Sequence, residues 1–148
     1  MGGGDSLSRC YPAVADSVPR ARNALTEFAV WAGATGEQLD AIKLAVSEAA
    51  TNVVVHAYDG RLGEILIDAR LASGELWIEV ADDGQGMRPR IDTPGLGLGL
   101  SLISQLADGF AIAKRSSGGT EVHMRFDLGV GPMLQNGRGT LAWASRPA

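Results

Sequence analysis

The hydrophobic positions along the chain repeat with two different periods. Between residues 18 and 53, apolar side chains recur every three or four residues in two runs separated by Gly33. This spacing predicts two amphipathic helices, because residues three and four apart share one helical face. Ser17 is expected to cap the first helix, while Thr35 opens the second, which should end near Gly60.

The later part of the chain alternates apolar and polar residues in short runs, which predicts strands. Pro12 limits the first of them to the edge of a sheet, because proline cannot donate a ladder hydrogen bond. Residues 98–107 return to helical spacing. Together these elements predict an antiparallel-rich sheet that helices cover on one face. The expected strands cover residues 7–14, 65–71, 76–81, 110–114 and 121–126.

Composition and charge restrict the classes of function. A chain of 148 residues is long enough for one domain with its own core. Its net charge of -4, from 13 basic and 17 acidic residues, provides no basic field for nucleic acid. The one cysteine, Cys10, excludes an intramolecular disulfide, and no apolar run approaches the ~20 residues that span a bilayer. These features, with no apolar signal segment at the start, predict a cytoplasmic protein without direct nucleic-acid or membrane contact.

The chain is expected to divide into three parts. Residues 1–6 form a glycine-rich, flexible lead, and residues 7–128 form the folded domain. Residues 129–148 are rich in glycine, proline and small polar residues, and contain few large apolar side chains. This last part is therefore predicted to be a flexible tail.

Three polar residues interrupt the apolar pattern of the second helix at intervals of four. Glu48, Asn52 and His56 thus share one helical stripe. A carboxylate can accept a proton from an attacking hydroxyl, and an amide oxygen is a hard ligand that suits magnesium. Solvated polar residues would give the same pattern, but the neighbouring motifs favour a site. His56 is expected to interact with the carbonyl groups at the helix end instead of with a ligand.

An aspartate and two glycines follow the third predicted strand. Asp82 comes where this strand ends, so its carboxylate can accept a hydrogen bond from an exocyclic amine such as that of adenine. Gly84 and Gly86 allow the backbone to approach a base closely. An ordinary Asp-Gly turn is the alternative explanation of this motif alone.

A second glycine cluster precedes the predicted third helix. Gly95, Gly97 and Gly99 expose backbone N–H groups near a helix N-terminus, where phosphate binds favourably. Leu100 stands where a dinucleotide-binding fingerprint needs its third glycine, and no Gly-Lys-Ser/Thr run marks a P-loop. A hinge is the alternative. A late Gly-Gly-Thr run ending at Thr120 offers a hydroxyl, although a hairpin turn explains it equally well.

Taken together, E-x-x-x-N, D-x-G-x-G, G-x-G-x-G-L and G-G-T, in this order, resemble the N, G1 and G2 boxes of the GHKL (Bergerat-fold) ATPases. The resemblance covers residues 7–128 and implies a GHKL-type ATP-binding and kinase domain. It also implies an α/β (α+β) two-layer sandwich, with a mixed, mostly antiparallel sheet covered on one face by helices. The small size and the segment EAATNVVVHAY are similar to the anti-sigma-factor serine/threonine kinases of bacterial partner switching.

The resemblance implies a role for each motif residue, with ATP and Mg²⁺ as ligands. Glu48 would be the general base, Asn52 the magnesium ligand and Asp82 the residue that recognises adenine. Thr120 would reach the nucleotide from the sheet. The other implied contacts are Gly84 and Gly86 beside adenine, Met87 in the purine pocket, and Gly95, Gly97, Gly99 and Leu100 at the phosphates.

The chain departs from this family in one segment. Only residues 87–94 separate the two glycine clusters, whereas many relatives have a longer lid over the triphosphate. Arg88 and Arg90 lie in this segment, but two arginines on a short loop are more often solvated than catalytic. The short lid favours an alternative function without catalysis.

The leading hypothesis is an ATP-binding anti-sigma factor and serine/threonine protein kinase. It would sequester a sigma factor and phosphorylate an anti-anti-sigma (STAS-domain) protein, and the resemblance leaves a homodimer open. The alternative is a non-catalytic, ATP-dependent anti-sigma or regulatory binding module. A histidine kinase fragment is disfavoured, because neither His56 nor His123 sits in a predicted dimerisation helix pair.

Removal of the predicted tail tests the division of the chain. A truncation after Leu128 is expected to keep the midpoint of thermal unfolding and the affinity for ATP, because the tail has too few apolar residues to build a core. Thermal unfolding and calorimetric titration measure the two properties. A truncated chain that fails to fold or loses its ATP affinity would show the division to be wrong.

Overall fold

Residues 3–85 and 96–129 are described by the computed structural model, in which helices pack on one face of a five-stranded sheet. The helices are α1 (Ser17–Ala32), α2 (Gly36–Asn52) and α3 (Leu96–Leu106). The strands are β1 (Ser6–Pro12), β2 (Glu64–Ala72), β3 (Glu75–Ala81), β4 (Gly109–Lys114) and β5 (Thr120–Asp127). A short 3-10 turn, Gly3–Asp5, precedes β1, and a π-helical turn, Val53–Ala57, extends α2.

The strands are ordered β1-β2-β3-β5-β4, and each pair of neighbours is antiparallel. The β2–β3 hairpin closes through Ser73 and Gly74, whose φ angles are 53° and 76°. Two consecutive positive φ angles characterise the type I′ turn, which matches the twist of the strands it joins. The pairing of β3 with β5 brings the end of β3 beside the start of β5, where the candidate site lies.

The core lies between the helices and the sheet. Alternate residues of the strands face the helices, as Ile78 of β3 and Met124 of β5 show with exposures of 2% and 1%. Leu25 of α1 and Ile42 and Val46 of α2 belong to the same core and are fully buried. The period of two in the strands and the period of about 3.6 in the helices therefore direct their apolar faces into one layer.

The predicted fold class is confirmed: an α+β sandwich with helices on one face of an antiparallel sheet. The predicted edge strand, both hairpins and all three helices are present. Among the helices of the described residues, none has the length and apolar composition that crossing a bilayer requires. Residues 130–148 of the predicted tail lie outside the described part of the chain, and the predicted lead includes the 3-10 turn and Ser6 of β1.

The predicted cap of α1 is wrong. Asp16 is the N-cap residue, and Ser17 is the first residue of the helix. Asp16 has helical backbone angles (φ -65°, ψ -18°), so the chain turns into the helix one residue earlier than expected. Ser17 is consequently fully buried, and its hydroxyl has no hydrogen-bond partner among the residues that the structure describes.

A pair of leucine substitutions tests the location of the core. Leu25→Ala is expected to lower the free energy of unfolding by about 2–5 kcal/mol, because it opens a cavity between α1 and the sheet. Leu62→Ala removes the same atoms from a side chain that is 99% exposed and should leave the stability almost unchanged. Chemical denaturation measures both values, and equal effects of the two variants would contradict the packing.

Candidate functional site

Glu48 and Asn52 meet the first turn of α3 at Gly99. A Cβ atom built on Gly99 would lie 3.3 Å from Asn52 Nδ2 and 3.4 Å from Asn52 Oδ1. The same atom would lie 3.5 Å from Glu48 Oε2. The missing side chain therefore allows the N-terminal turn of α3 to approach both polar groups. The structure thus brings together the first and third sequence motifs.

Asn52 is a buried polar residue without a complete set of partners. Asn52 is only 5% exposed. Within residues 3–85 and 96–129, its Nδ2 atom has no hydrogen-bond partner. A buried amide without a partner costs free energy of about 1–3 kcal/mol. The amide can present either its nitrogen or, after rotation by 180°, its oxygen to the same space. A phosphate or a metal ion next to α3 therefore fits this residue.

The first turn of α3 carries the glycines of the third motif. The helix was predicted to begin at residue 98, but α3 begins at Leu96, so both Gly97 and Gly99 lie within its first turn. The first four N–H groups of a helix have no partner inside the helix and carry partial positive charge. The N–H groups that were expected to bind phosphate therefore belong to the first turn of the helix itself. Leu100 packs in the hydrophobic core and holds this turn in place.

Asp82 lies at the end of β3 and is 2% exposed. Its Oδ1 accepts a hydrogen bond of 2.9 Å from the backbone N–H of Gly84. Its backbone pairs with Thr120, through N–H to carbonyl bonds of 2.9 and 3.2 Å. Burial raises the pKa of the Asp82 carboxyl above its usual value, although hydrogen bonds from the backbone of Gly84 and Thr120 act in the opposite direction. A buried carboxylate of this kind would recognise a donor such as an amine.

Asp83, the next residue, has the opposite electrostatic environment. Its half-exposed carboxylate accepts a hydrogen bond of 2.7 Å from Ser117 Oγ and one of 3.0 Å from Arg115 Nε. The hydrogen bond from Ser117 lowers the pKa of Asp83, and the charge of Arg115 lowers it further. Arg115 also pairs with Glu121 at 3.2 Å. These contacts attach the loop after β3 to the β4–β5 hairpin.

Two glycines allow close backbone contacts around Asp82. A Cβ atom on Gly84 would overlap the carbonyl oxygen of Ala57, and one on Gly119 would overlap the carbonyl oxygen of Asp82. Sequence reasoning assigned Gly84 to the site but did not assign Gly119. The only signal for Gly119 was its place in the Gly-Gly-Thr run before Thr120, which is itself buried at 4% exposure. Packing therefore requires a residue without a side chain at both position 84 and position 119.

The structure describes part of the predicted site. Glu48, Asn52 and Gly99 lie in one group, while Asp82 and Thr120 lie side by side at the end of the sheet. Gly84 follows Asp82 directly in the same loop. Gly86, Met87 and Gly95 of the predicted site lie outside the described part of the chain, as do Arg88 and Arg90 of the short segment between the glycine clusters.

Residues 11–126 match the family model of the histidine kinase-like ATPase domain. The anti-sigma F factor of Caldanaerobacter subterraneus subsp. tengcongensis is 32% identical over 120 residues, which cover 74% of this chain and 84% of that protein. The serine-protein kinase RsbW of Bacillus thuringiensis is 34% identical over 123 residues, which cover 73% of this chain and 77% of that protein.

The fold is also similar to a solved structure that contains the RsbU and RsbW domains of a Mycobacterium tuberculosis protein. The TM-score is 0.66, with 26% identity over 82% of this chain. This chain spans 31% of the length of that solved chain.

The two adjacent aspartates should respond oppositely to substitution. A raised pKa means that folded Asp82 holds its proton more tightly than the unfolded chain does, so stability falls as the pH rises through this raised pKa. Asp82→Asn is therefore expected to stabilise the ligand-free protein at pH 7. The lowered pKa of Asp83 contributes stability that is present above the usual aspartate pKa and is lost as the pH falls.

Asp83→Asn is accordingly expected to destabilise the protein at pH 7, by at most about 1 kcal/mol because solvent screens this half-exposed group. Asp40→Asn, at an exposed position of α2, serves as the control. Denaturant unfolding between pH 3 and pH 7 measures all three variants. A shift of the same sign for Asp82→Asn and Asp83→Asn would contradict the two environments.

Proposed function

The chain belongs to the histidine kinase-like ATPase domain family, and on this premise we propose that it is an ATP-binding anti-sigma factor and serine/threonine protein kinase. It would sequester a sigma factor and phosphorylate a serine or threonine of an anti-anti-sigma (STAS-domain) protein. Two relatives support this proposal by their names, one an anti-sigma F factor and the other a serine-protein kinase. A sigma-factor partner implies a cytoplasmic location.

One observation carries the proposal: the buried amide of Asn52, without a partner for Nδ2 in the described residues, lies with Glu48 against the first turn of α3. An amide oxygen and a carboxylate are groups that suit Mg²⁺, and the N–H groups at the start of a helix suit phosphate. Their convergence at Gly99 favours a nucleotide whose phosphates lie at this point. Asn52 would hold Mg²⁺ there.

Asp82 supports the proposal from the other end of the site. The carboxylate of Asp82 is 2% exposed and can accept further hydrogen bonds besides the one from Gly84, and the exocyclic amine of adenine would supply a donor. The glycine that follows at position 84 keeps the loop close to the end of α2. We therefore assign adenine recognition to Asp82, with Thr120 beside it at the start of β5.

The residues would divide the chemistry of phosphoryl transfer among them. When bound with Mg²⁺, ATP supplies the γ-phosphoryl group for the transfer. Glu48 would orient the acceptor hydroxyl of the partner protein and receive its proton. The N–H groups of the first turn of α3 would hold the phosphate oxygens by dipole and hydrogen bonds. Positioning and charge are the main contributions that a protein makes to this reaction.

A binding module without catalysis is the second candidate. The short segment between Gly86 and Gly95 favours it, because few residues remain there to cover the γ-phosphate. In this version ATP would control the affinity for the sigma factor, and Glu48 would have no role as a base. The two candidates therefore differ in what a substitution of Glu48 does.

Substitutions of Glu48 and Asn52 distinguish the two candidates. If Glu48 is the base, Glu48→Ala should leave the ATP affinity nearly unchanged while phosphoryl transfer to a STAS-domain partner falls about 10²-fold or more. Asn52→Ala should instead lose the part of the ATP affinity that depends on Mg²⁺, because it removes a metal ligand. Calorimetry with and without Mg²⁺ and transfer of labelled phosphate measure these effects.

Glu37→Ala is the matched control, since Glu37 is an exposed glutamate in the first turn of the same helix. It should change neither property. Full transfer by Glu48→Ala, or no transfer by the unaltered protein to a partner that it binds, would rule out the kinase and leave the ATP-dependent binding module. Absence of ATP binding at millimolar nucleotide with Mg²⁺ would overturn both candidates.

A further inference from the structure

The hydroxyl group of Tyr58 joins two separate segments beside the candidate site. It donates a hydrogen bond of 2.6 Å to the carbonyl oxygen of Glu64 at the start of β2. It accepts a hydrogen bond of 2.9 Å from the backbone N–H of Asp83, the residue that follows Asp82. One side chain directly after the π turn thus connects the start of β2 with the loop that follows β3.

The ring of Tyr58 is held in place by contact with the backbone. A Cβ atom on Gly63 would overlap three ring atoms of Tyr58, so only a glycine permits the ring to lie where it does. A phenol ring fixed in this way loses little conformational entropy when its hydroxyl forms the two hydrogen bonds. Because the ring is fixed, its hydroxyl holds the N–H of Asp83 in one position.

The π-helical turn before Tyr58 makes further contacts with the same loop. The carbonyl oxygen of Ala57 accepts a hydrogen bond of 2.9 Å from the N–H of Gln85, and that of His56 accepts one of 3.4 Å from Gln85 Nε2. Carbonyl groups at the end of a helix lack partners within the helix, and here the loop after β3 provides them. Such π turns occur frequently at functional sites.

These contacts leave little freedom to Asp82. The N–H of the next residue is held by Tyr58, and its own backbone is paired with Thr120 on the other side. We propose that Tyr58 is a positioning residue for base recognition, which sets the direction of the Asp82 carboxylate through the backbone of Asp83 without touching the nucleotide. This inference rests on the proposed function, because it assumes that Asp82 recognises adenine.

The π turn also connects the two ends of the proposed nucleotide site. Asn52 is the last residue of α2, and Tyr58 lies six residues later, directly after the π turn that extends this helix. The position of the phosphate-binding amide and the position of the adenine-binding carboxylate are thereby determined by the same piece of backbone. Loss of the Tyr58 hydroxyl should affect the base and not the phosphates.

Tyr58→Phe tests this role, because it keeps the ring against Gly63 and removes only the hydroxyl. Calorimetry should compare ATP with inosine triphosphate, in which a carbonyl oxygen replaces the exocyclic amine. The affinity for ATP is expected to fall about 5- to 10-fold, as for the loss of a directed hydrogen bond, while the affinity for inosine triphosphate stays nearly the same. The selectivity for adenine should therefore fall by a similar factor.

Tyr11→Phe is the matched control. The ring of Tyr11 is buried under Arg20 at 5.2 Å, and its hydroxyl makes no hydrogen bond to the described residues, so both affinities should be unchanged. Amide hydrogen exchange of the nucleotide-free protein gives a second measurement. The N–H of Asp83 should exchange faster in Tyr58→Phe, and not in Tyr11→Phe, because only the former loses its acceptor.

The outcomes separate this inference from the proposed function. If the unaltered protein prefers ATP and Tyr58→Phe keeps the same preference, the positioning role is wrong and the nucleotide site stands. Equal weakening of both nucleotides would mean that Tyr58 has only a general structural role, which also overturns the inference. If the unaltered protein shows no preference for ATP, the assignment of Asp82 is wrong and the role of Tyr58 falls with it.

Discussion

The burial of two polar side chains, Asn52 and Asp82, beside an apolar core is the constraint on which the site depends. Each is at most 5% exposed, and removing such groups from water costs free energy unless they gain partners. The layer of helices on the sheet supplies the opposing free energy, because a fully buried leucine or isoleucine contributes about 1.5–3 kcal/mol. A well-packed core therefore allows both side chains to stay buried in fixed orientations before a ligand binds.

Close contacts at glycine determine how these groups are arranged. Gly99 allows α3 to approach Asn52. Gly84 allows the loop after β3 to contact the π turn that follows α2, and Gly119 allows the residues before β5 to contact the backbone of Asp82. In each case the neighbour is a site residue or the helix that carries one. The glycines that a sequence motif attributes to ligand binding thus also serve to bring the chain's own segments together. Substitution at these positions would combine a loss of packing with a loss of binding.

The sequence predicted the parts of the fold that depend on local periodicity. Alternation predicted the hairpin across Ser73 and Gly74, and helical spacing predicted α1 and α2 and placed Glu48 and Asn52 on one stripe. The π turn was not predicted, because the apolar pattern does not distinguish two hydrogen-bond patterns at a helix end. The role of Tyr58 was also missed, since its partners lie 6 and 25 residues away and depend on tertiary packing. Such contacts leave no local signal in a single sequence.

The electrostatics of the site connect ligand binding with stability. Burial raises the pKa of Asp82, so the ligand-free protein carries a carboxylate that is less favourable when folded than when unfolded. The amide of Asn52 adds a second cost of the same kind. A nucleotide that donates a hydrogen bond to Asp82 and whose phosphate oxygens accept one from Asn52 would remove both costs, in addition to the stabilisation that any ligand of the folded state provides. Residues that weaken the empty domain therefore give the bound nucleotide greater influence over its stability, which is the property that a nucleotide-controlled binding protein requires.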